Sequence, residues 1–130
     1  MENSICQEMY DTCIKTHEIS DEQLQRLLTC KEDGQLDFLL VDIREMFEYT
    51  NLSIKGTDLL IPTSIIHEKL SLLEREKDKF IVLYCRTGNR TSFTMFALKR
   101  MGFTKIAHLS DGIVSYTGET KKNAPLPNKF

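Results

Sequence analysis

At 130 residues and 15.1 kDa the chain has room for one domain with a real core, and not for two. Its 41% hydrophobic and 28% charged content is that of an ordinary globular protein, which excludes disorder as the global state. A formal net charge of -2 and a pI near 5.9 give no long-range positive field, so small molecules or other proteins are expected as partners, not nucleic acid or membrane.

Residues 1–6 hold no basic stretch followed by an apolar core, and no run is long enough to cross a bilayer, so a cytoplasmic location is expected. Residues 1–14 lack a strong period and read as a short helix or an N-terminal arm. Thr16 to Ile19 suits a short strand. Ser20, with Gln23 three positions later, makes a capping box ahead of Leu24, Leu27 and Leu28, which predicts a helix over 21–30. A polar turn follows, and then the nearly continuous apolar run 38–43, with the length of a buried parallel strand. It ends in a charged cluster over 42–48. A short strand over 57–61 stops at Pro62, and Ile65, Ile66, Leu70 and Leu73 mark a helix. Residues 80–84 form a strongly strand-like run, 85–90 a polar loop, and 91–101 a helix ended by Gly102. Phe93, Phe96, Ala97 and Met101 are read as the apolar side of that helix, with both phenylalanines in the core. A strand over 105–109, a turn or short helix over 112–116 and an extended, mobile tail over 119–130 complete the chain. Strands alternating with helices imply an α/β sandwich around a mainly parallel sheet, the domain proper covering 15–118.

The four cysteines, Cys6, Cys13, Cys30 and Cys85, are expected as reduced thiols, because a chain of this size without a leader needs no staples. Cys6 and Cys13 are too far apart for a zinc knuckle, so no metal is expected. Cys6, Cys13 and Cys30 read as inert. His17, His67 and His108 are scattered and read as surface or packing residues, and Lys99, Arg100 and Lys105 as solvated surface.

Cys85 stands apart. In open α/β sheets ligands gather beyond the carboxyl ends of strands, and Cys85 falls where a strand runs into a loop and a helix. The loop Arg86-Thr87-Gly88-Asn89-Arg90 is short, and Gly88 permits backbone angles that turn successive N–H groups inward as an anion-binding nest. Those donors, the helix N-terminus at Thr91 and the charges of Arg86 and Arg90 favour thiolate over thiol, lowering the pKa below its free value of about 8.5. A thiolate ionised in this way needs no histidine base.

The run Cys85-Arg86-Thr87-Gly88-Asn89-Arg90-Thr91 resembles the active-site loop of the rhodanese family: Cys, Arg, a small residue, Gly, any residue, Arg, then Ser or Thr. Upstream, Val41-Asp42-Ile43-Arg44-Glu45 with Glu48-Tyr49 is similar to the family's acidic and arginine motif. Downstream, Leu109-Ser110-Asp111-Gly112-Ile113 with Tyr116 is similar to its Gly-Gly-Ile element and aromatic residue. Leu52 and Ser53 stand where the family often has Gly-His, Asp111 where it has the first Gly of the pair, and Tyr116 where Trp is usual.

The resemblance implies a rhodanese-like three-layer sandwich and a sulfurtransferase without cofactor. The Cys85 thiolate would take a sulfane sulfur from a small-molecule donor, thiosulfate or a polysulfide. The resulting persulfide would pass it to cyanide or to the thiol of a small molecule or protein. Loop amides would stabilise the anionic persulfide, and Arg86 and Arg90 would attract an anionic donor, unless a carboxylate ties Arg90 into the loop. Asp42, Arg44 and Glu48 are read as holding the loops in place. A phosphatase or arsenate reductase is the nearest alternative, but such loops enclose one residue more than the four between Cys85 and Arg90. A non-catalytic persulfide-sensing or docking module is the other.

Overall fold

A computed structural model of the chain describes residues 2–128. Met1 of the N-terminal arm and residues 129–130 of the tail lie outside the described residues. In chain order the elements are α1 (Glu2–Thr16), β1 (Glu18–Ile19), α2 (Asp21–Glu32), β2 (Leu39–Asp42), α3 (Met46–Asn51), β3 (Ser53–Ile54) and β4 (Leu59–Leu60). They continue with α4 (Ile66–Glu74), β5 (Ile81–Tyr84), α5 (Asn89–Arg100), β6 (Ile106–Leu109) and β7 (Thr120–Lys121). Five parallel strands form one sheet in the order β1-β6-β5-β2-β4, so β5 is its central strand.

Strand alternation divides the core. Leu40, Val82, Tyr84, Ala107 and Leu109 face the layer of α1 and α2, where they meet Cys13, Leu24 and Leu27. Val41, Ile81, Leu83, Cys85 and Ile106 face the opposite layer and meet Leu73, Leu98 and Phe103. Both faces of the sheet are therefore covered, which is why its strands read as continuous apolar runs. The expected α/β sandwich with a parallel sheet is the architecture. Its α2 begins with the expected capping box, Ser20 Oγ accepting from the Gln23 N–H at 3.2 Å and Gln23 Oε1 from the Ser20 N–H at 2.9 Å. Leu24, on the first turn of α2, is fully buried. Leu24→Ala is expected to destabilise the fold by about 2–5 kcal/mol, seen as a lower urea midpoint at unchanged slope.

Four expectations are corrected. Cys6 and Cys30 form a disulfide, with Cα atoms 6.1 Å apart, instead of remaining reduced thiols. The cause is the packing of α1 along α2, a juxtaposition hidden by a separation of 24 residues. Cys13 stays free and buried, and burial pushes its thiol up to about 11. The tail is extended but docked. Thr120 and Lys121 pair antiparallel with Ile54 and Ser53, the Asn123 N–H donates to the Thr50 carbonyl at 2.7 Å, and Asn128 Oδ1 accepts from the Leu60 N–H at 2.8 Å. The charged cluster contains a helix, α3, which the sequence pattern did not reveal. Finally, α5 turns Thr91 and Leu98 inward, with Met95 partly covered, so Phe93 and Phe96 are 79% and 63% exposed and Ala97 and Met101 lie on the surface. The helix carries two possible apolar faces, and the seating of its first turn beneath the 85–90 loop selects the one that includes Thr91.

Candidate active site

Cys85 directly follows β5, at the carboxyl end of the central strand, and alternation directs it to the α5 side of the sheet. The chain then turns sharply. Gly88 adopts a left-handed conformation with φ 97°, and α5 starts at Asn89, two residues earlier than its sequence suggests. This turn aims the Gly88 N–H at the Cys85 Sγ, 3.1 Å away, while the amides of Thr91 and Thr87 also act on the sulfur. The Thr91 hydroxyl lies 3.8 Å from it. Outward-facing carbonyls are satisfied separately, because the Ile113 N–H donates to the Cys85 carbonyl at 2.9 Å and the Val114 N–H to that of Arg86 at 3.1 Å. Donors thus converge inside the loop and acceptors point away from it, the arrangement of an anion nest.

Two opposing effects act on the Cys85 thiol, which is 1% exposed. Burial pushes its pKa up, but the amides of Thr91, Gly88 and Thr87 and the Thr91 hydroxyl together outweigh burial, leaving it below the ordinary thiol value. A lowered pKa means that thiolate persists as pH falls. The rate of Cys85 modification by a small alkylating agent is therefore expected to have its midpoint below that of a free thiol. It should also exceed the rate at Cys13 throughout, as read by peptide mass analysis across a pH series.

The surrounding charges separate into paired and unpaired groups. Arg90 donates to both Glu48 oxygens, at 2.7 and 2.9 Å, which ties α5 to α3. Glu48 also accepts from the Glu45 N–H at 3.0 Å. The Arg90 guanidinium holds the Glu48 carboxyl down at about 2. Because this folded value lies below the ordinary one, the pair adds stability at neutral pH and loses it as pH falls through about 2. With Arg90 about a third exposed, solvent screening limits that contribution to about 1 kcal/mol. Glu48→Gln is expected to lower stability by this amount near pH 7, the gap to the parent closing in strong acid, in paired urea titrations.

Asp42 and Arg44 form a buried pair at the end of β2, with Nη2 2.9 Å from Oδ2. Burial pushes the Asp42 carboxyl up and Arg44 opposes that rise. Arg44 also donates to the Leu52 carbonyl at 2.6 Å and lies 5.5 Å over the Tyr84 ring, linking β2, the end of α3 and β5. Asp42, Arg44 and Glu48 therefore brace the loop's surroundings. Thr87 and Asn89 are exposed, as is Arg86, which makes no ion pair among the described residues. Arg86 borders an open cavity of about 500 Å³ with Arg44, Phe47, Glu48, Val114 and Tyr116.

The sequence reading missed one neighbour. His108 on β6 is buried, and its Nδ1 lies 2.7 Å from Thr91 Oγ1, which itself donates to the Gly88 carbonyl at 3.0 Å. Burial lowers the His108 pKa, with Glu18 opposing, which favours the neutral ring. A histidine that read as one of three scattered surface or packing residues is thus present one hydroxyl away from the sulfur. The only available signal was its position on the strand after α5, with alternation placing it on the face of Ile106.

A free cysteine at the carboxyl end of a central parallel strand, under converging amides, defines an α/β domain of the cysteine-loop class. The model of the rhodanese-like domain matches residues 20–119, and the chain belongs to that family. A probable adenylyltransferase/sulfurtransferase of Mycobacterium tuberculosis is 38% identical over 84 residues, covering 65% of this chain and 21% of that protein. The tRNA uridine(34) hydroxylase of Escherichia coli is 32% identical over 98 residues, covering 72% and 27%. The crystal structure of a rhodanese-related protein from Thermoplasma volcanium aligns with a TM-score of 0.64 and 26% identity over 80% of this chain and 96% of that one. The chain spans 21 to 27% of the length of these two curated relatives. Among the described residues, no helix is long and apolar enough to cross a membrane.

Proposed function

We propose that the chain is a sulfurtransferase that carries sulfane sulfur as a persulfide on Cys85. The observation that carries this reading is the buried Cys85 Sγ with the Gly88 amide 3.1 Å away and the amides of Thr87 and Thr91 also acting on it. The same donors that favour a thiolate favour a persulfide anion, one sulfur atom longer.

In the loading step the Cys85 thiolate attacks the outer sulfur of thiosulfate. A new S–S bond forms while the donor's own S–S bond breaks, and sulfite leaves with that electron pair. A polysulfide loads the cysteine in the same way, a shortened polysulfide leaving. In the unloading step an acceptor thiolate attacks the outer persulfide sulfur, takes it as its own persulfide and returns Cys85 as thiolate. Neither step needs an oxidant or a cofactor. Arg86, exposed and without an ion-pair partner among the described residues, is the cation that attracts an anionic donor. Arg90 is engaged by Glu48, so it holds the loop's shape.

That engagement also weighs against phosphatase chemistry, in which the loop arginine must face the bound oxyanion. A purely docking role leaves the amide cradle around Cys85 without purpose. The test is the intact mass of the protein after incubation with thiosulfate or a polysulfide, for the parent and for Cys85→Ser. The parent is expected to gain the mass of one sulfur atom, reversibly by a thiol, and the variant none. Absence of that gain with every donor would overturn the proposal.

A further inference from the structure

Among the described residues three phenylalanines stand on the surface, Phe47 at 74%, Phe93 at 79% and Phe96 at 63% exposed. Aromatic side chains left this open contribute little to the core, and aromatics are enriched where proteins meet. Phe93 follows Arg90 by one helical turn and Phe96 follows by another, so a single stripe runs along α5 from the mouth of the Cys85 loop. Ser92, Phe93, Met95, Phe96 and Lys99 enclose an open groove of about 490 Å³ on it. Phe47 adjoins Glu48, across the ion pair to Arg90, and shares the cavity at the loop with Arg86 and Val114.

Charge along the segment from the loop through α5 is one-sided. Residues 85–101 include Arg86, Arg90, Lys99 and Arg100 and no carboxylate, although the chain as a whole is net negative. Glu48 neutralises Arg90. Arg86 at the mouth and Lys99 and Arg100 at the far end have no carboxylate partner among the described residues, and Arg100 lies 5.8 Å over the Phe96 ring. An apolar stripe bracketed by unneutralised cations complements an apolar knob bracketed by carboxylates.

The geometry points to α5 and the rim of the loop as a docking surface for a protein segment in which carboxylates flank apolar side chains, and which presents an acceptor thiol to Cys85. This rests on the sulfur-transfer reading above. Cys85 is 1% exposed, so an acceptor must be held in line for its thiol to reach the persulfide. The stripe starts where that alignment is needed. Three scattered cations are too few to grip a nucleic acid backbone strongly, and a groove lined by Phe93, Met95 and Phe96 suits apolar side chains better than phosphates.

The probe is a short synthetic peptide with a central cysteine between leucines and outer glutamates, compared with its lysine twin and with free cysteine. Each is mixed with the Cys85-persulfide protein, and sulfur discharge is read as the rate relative to free cysteine. The acidic peptide is expected to discharge the persulfide roughly tenfold faster than the lysine twin at low salt, with the gap shrinking as salt rises. In Phe93→Ser/Phe96→Ser the acidic peptide's rate relative to free cysteine should collapse towards that of the twin. Equal rates for the two peptides, or a preference that survives the double substitution, would overturn the proposal. So would competition by a single-stranded RNA oligonucleotide where the acidic peptide without its cysteine fails to compete. Failure of the persulfide to form in the first place would be a failure of the sulfurtransferase reading instead.

Discussion

Cys85→Ser is expected to reduce sulfur transfer from thiosulfate to cyanide by about 10³-fold or more, measured as thiocyanate formed under saturating donor. The side chain stays in the same place, so the effect isolates the atom. A serine hydroxyl keeps its proton at neutral pH even beneath the amides of Thr87, Gly88 and Thr91, and its oxygen cannot form the S–S bond that the proposed persulfide requires. Packing changes little, because serine is close to cysteine in size, although Cys85 belongs to the buried apolar cluster that includes Leu83 and Leu98. A stability loss of about 1 kcal/mol is expected, too small to account for the loss of turnover. Turnover by Cys85→Ser within tenfold of the parent would mean that the sulfur travels by another route.

Gly112→Ala is expected to act nearly as severely although it changes no reacting group. Gly112 has φ 71° and ψ -179°, a combination open almost only to glycine and strained by about 1–3 kcal/mol for any other residue. A Cβ there would also be driven into the backbone of the Arg86 carbonyl and the Thr87 amide, neither of which can swing aside as a side chain can. The loop must therefore shift, and with it the Gly88 N–H, which lies 3.1 Å from the sulfur. Activity is expected to fall by about 10²-fold, as for other misplacements near an ångström, with a clear loss of thermal stability. Gly34→Ala provides the comparison. Gly34 also has a positive φ, 76°, but a Cβ there meets nothing within 4 Å. It should show only the backbone strain of about 1–2 kcal/mol and near-parental turnover. Equal behaviour of the two variants would show that contact with the loop is not what makes Gly112 important.

The parts of the site that lie together in the chain were legible before the structure. Cys85 to Thr91 are contiguous, a strand precedes them and a helix follows, so residue order alone placed a thiol under helix-terminal amides. The link from Arg90 to a carboxylate was foreseeable in kind, but its identity as Glu48 depends on α3 packing against the start of α5. His108 was hidden because its relation to Cys85 runs across the β5–β6 pairing and through the Thr91 hydroxyl. Phe93 and Phe96 misled because apolar spacing on a helix marks a face without saying what the face meets. Here the first turn of α5 must put Thr91 under the loop, and that rotation leaves both phenylalanines outside. The Cys6–Cys30 bridge was illegible for a similar reason, since it follows from the docking of α1 on α2 and not from any local pattern.

The proposed sulfur-carrying role of Cys85 is tested most directly with thiosulfate isotopically labelled only in its outer sulfur. After a single turnover without acceptor, peptide mapping under non-reducing conditions should find the label on the peptide containing Cys85. Addition of a thiol should then move it quantitatively into that thiol's persulfide. Label that appears in the acceptor without first residing on Cys85, or that settles on Cys6, Cys13 or Cys30, would contradict it.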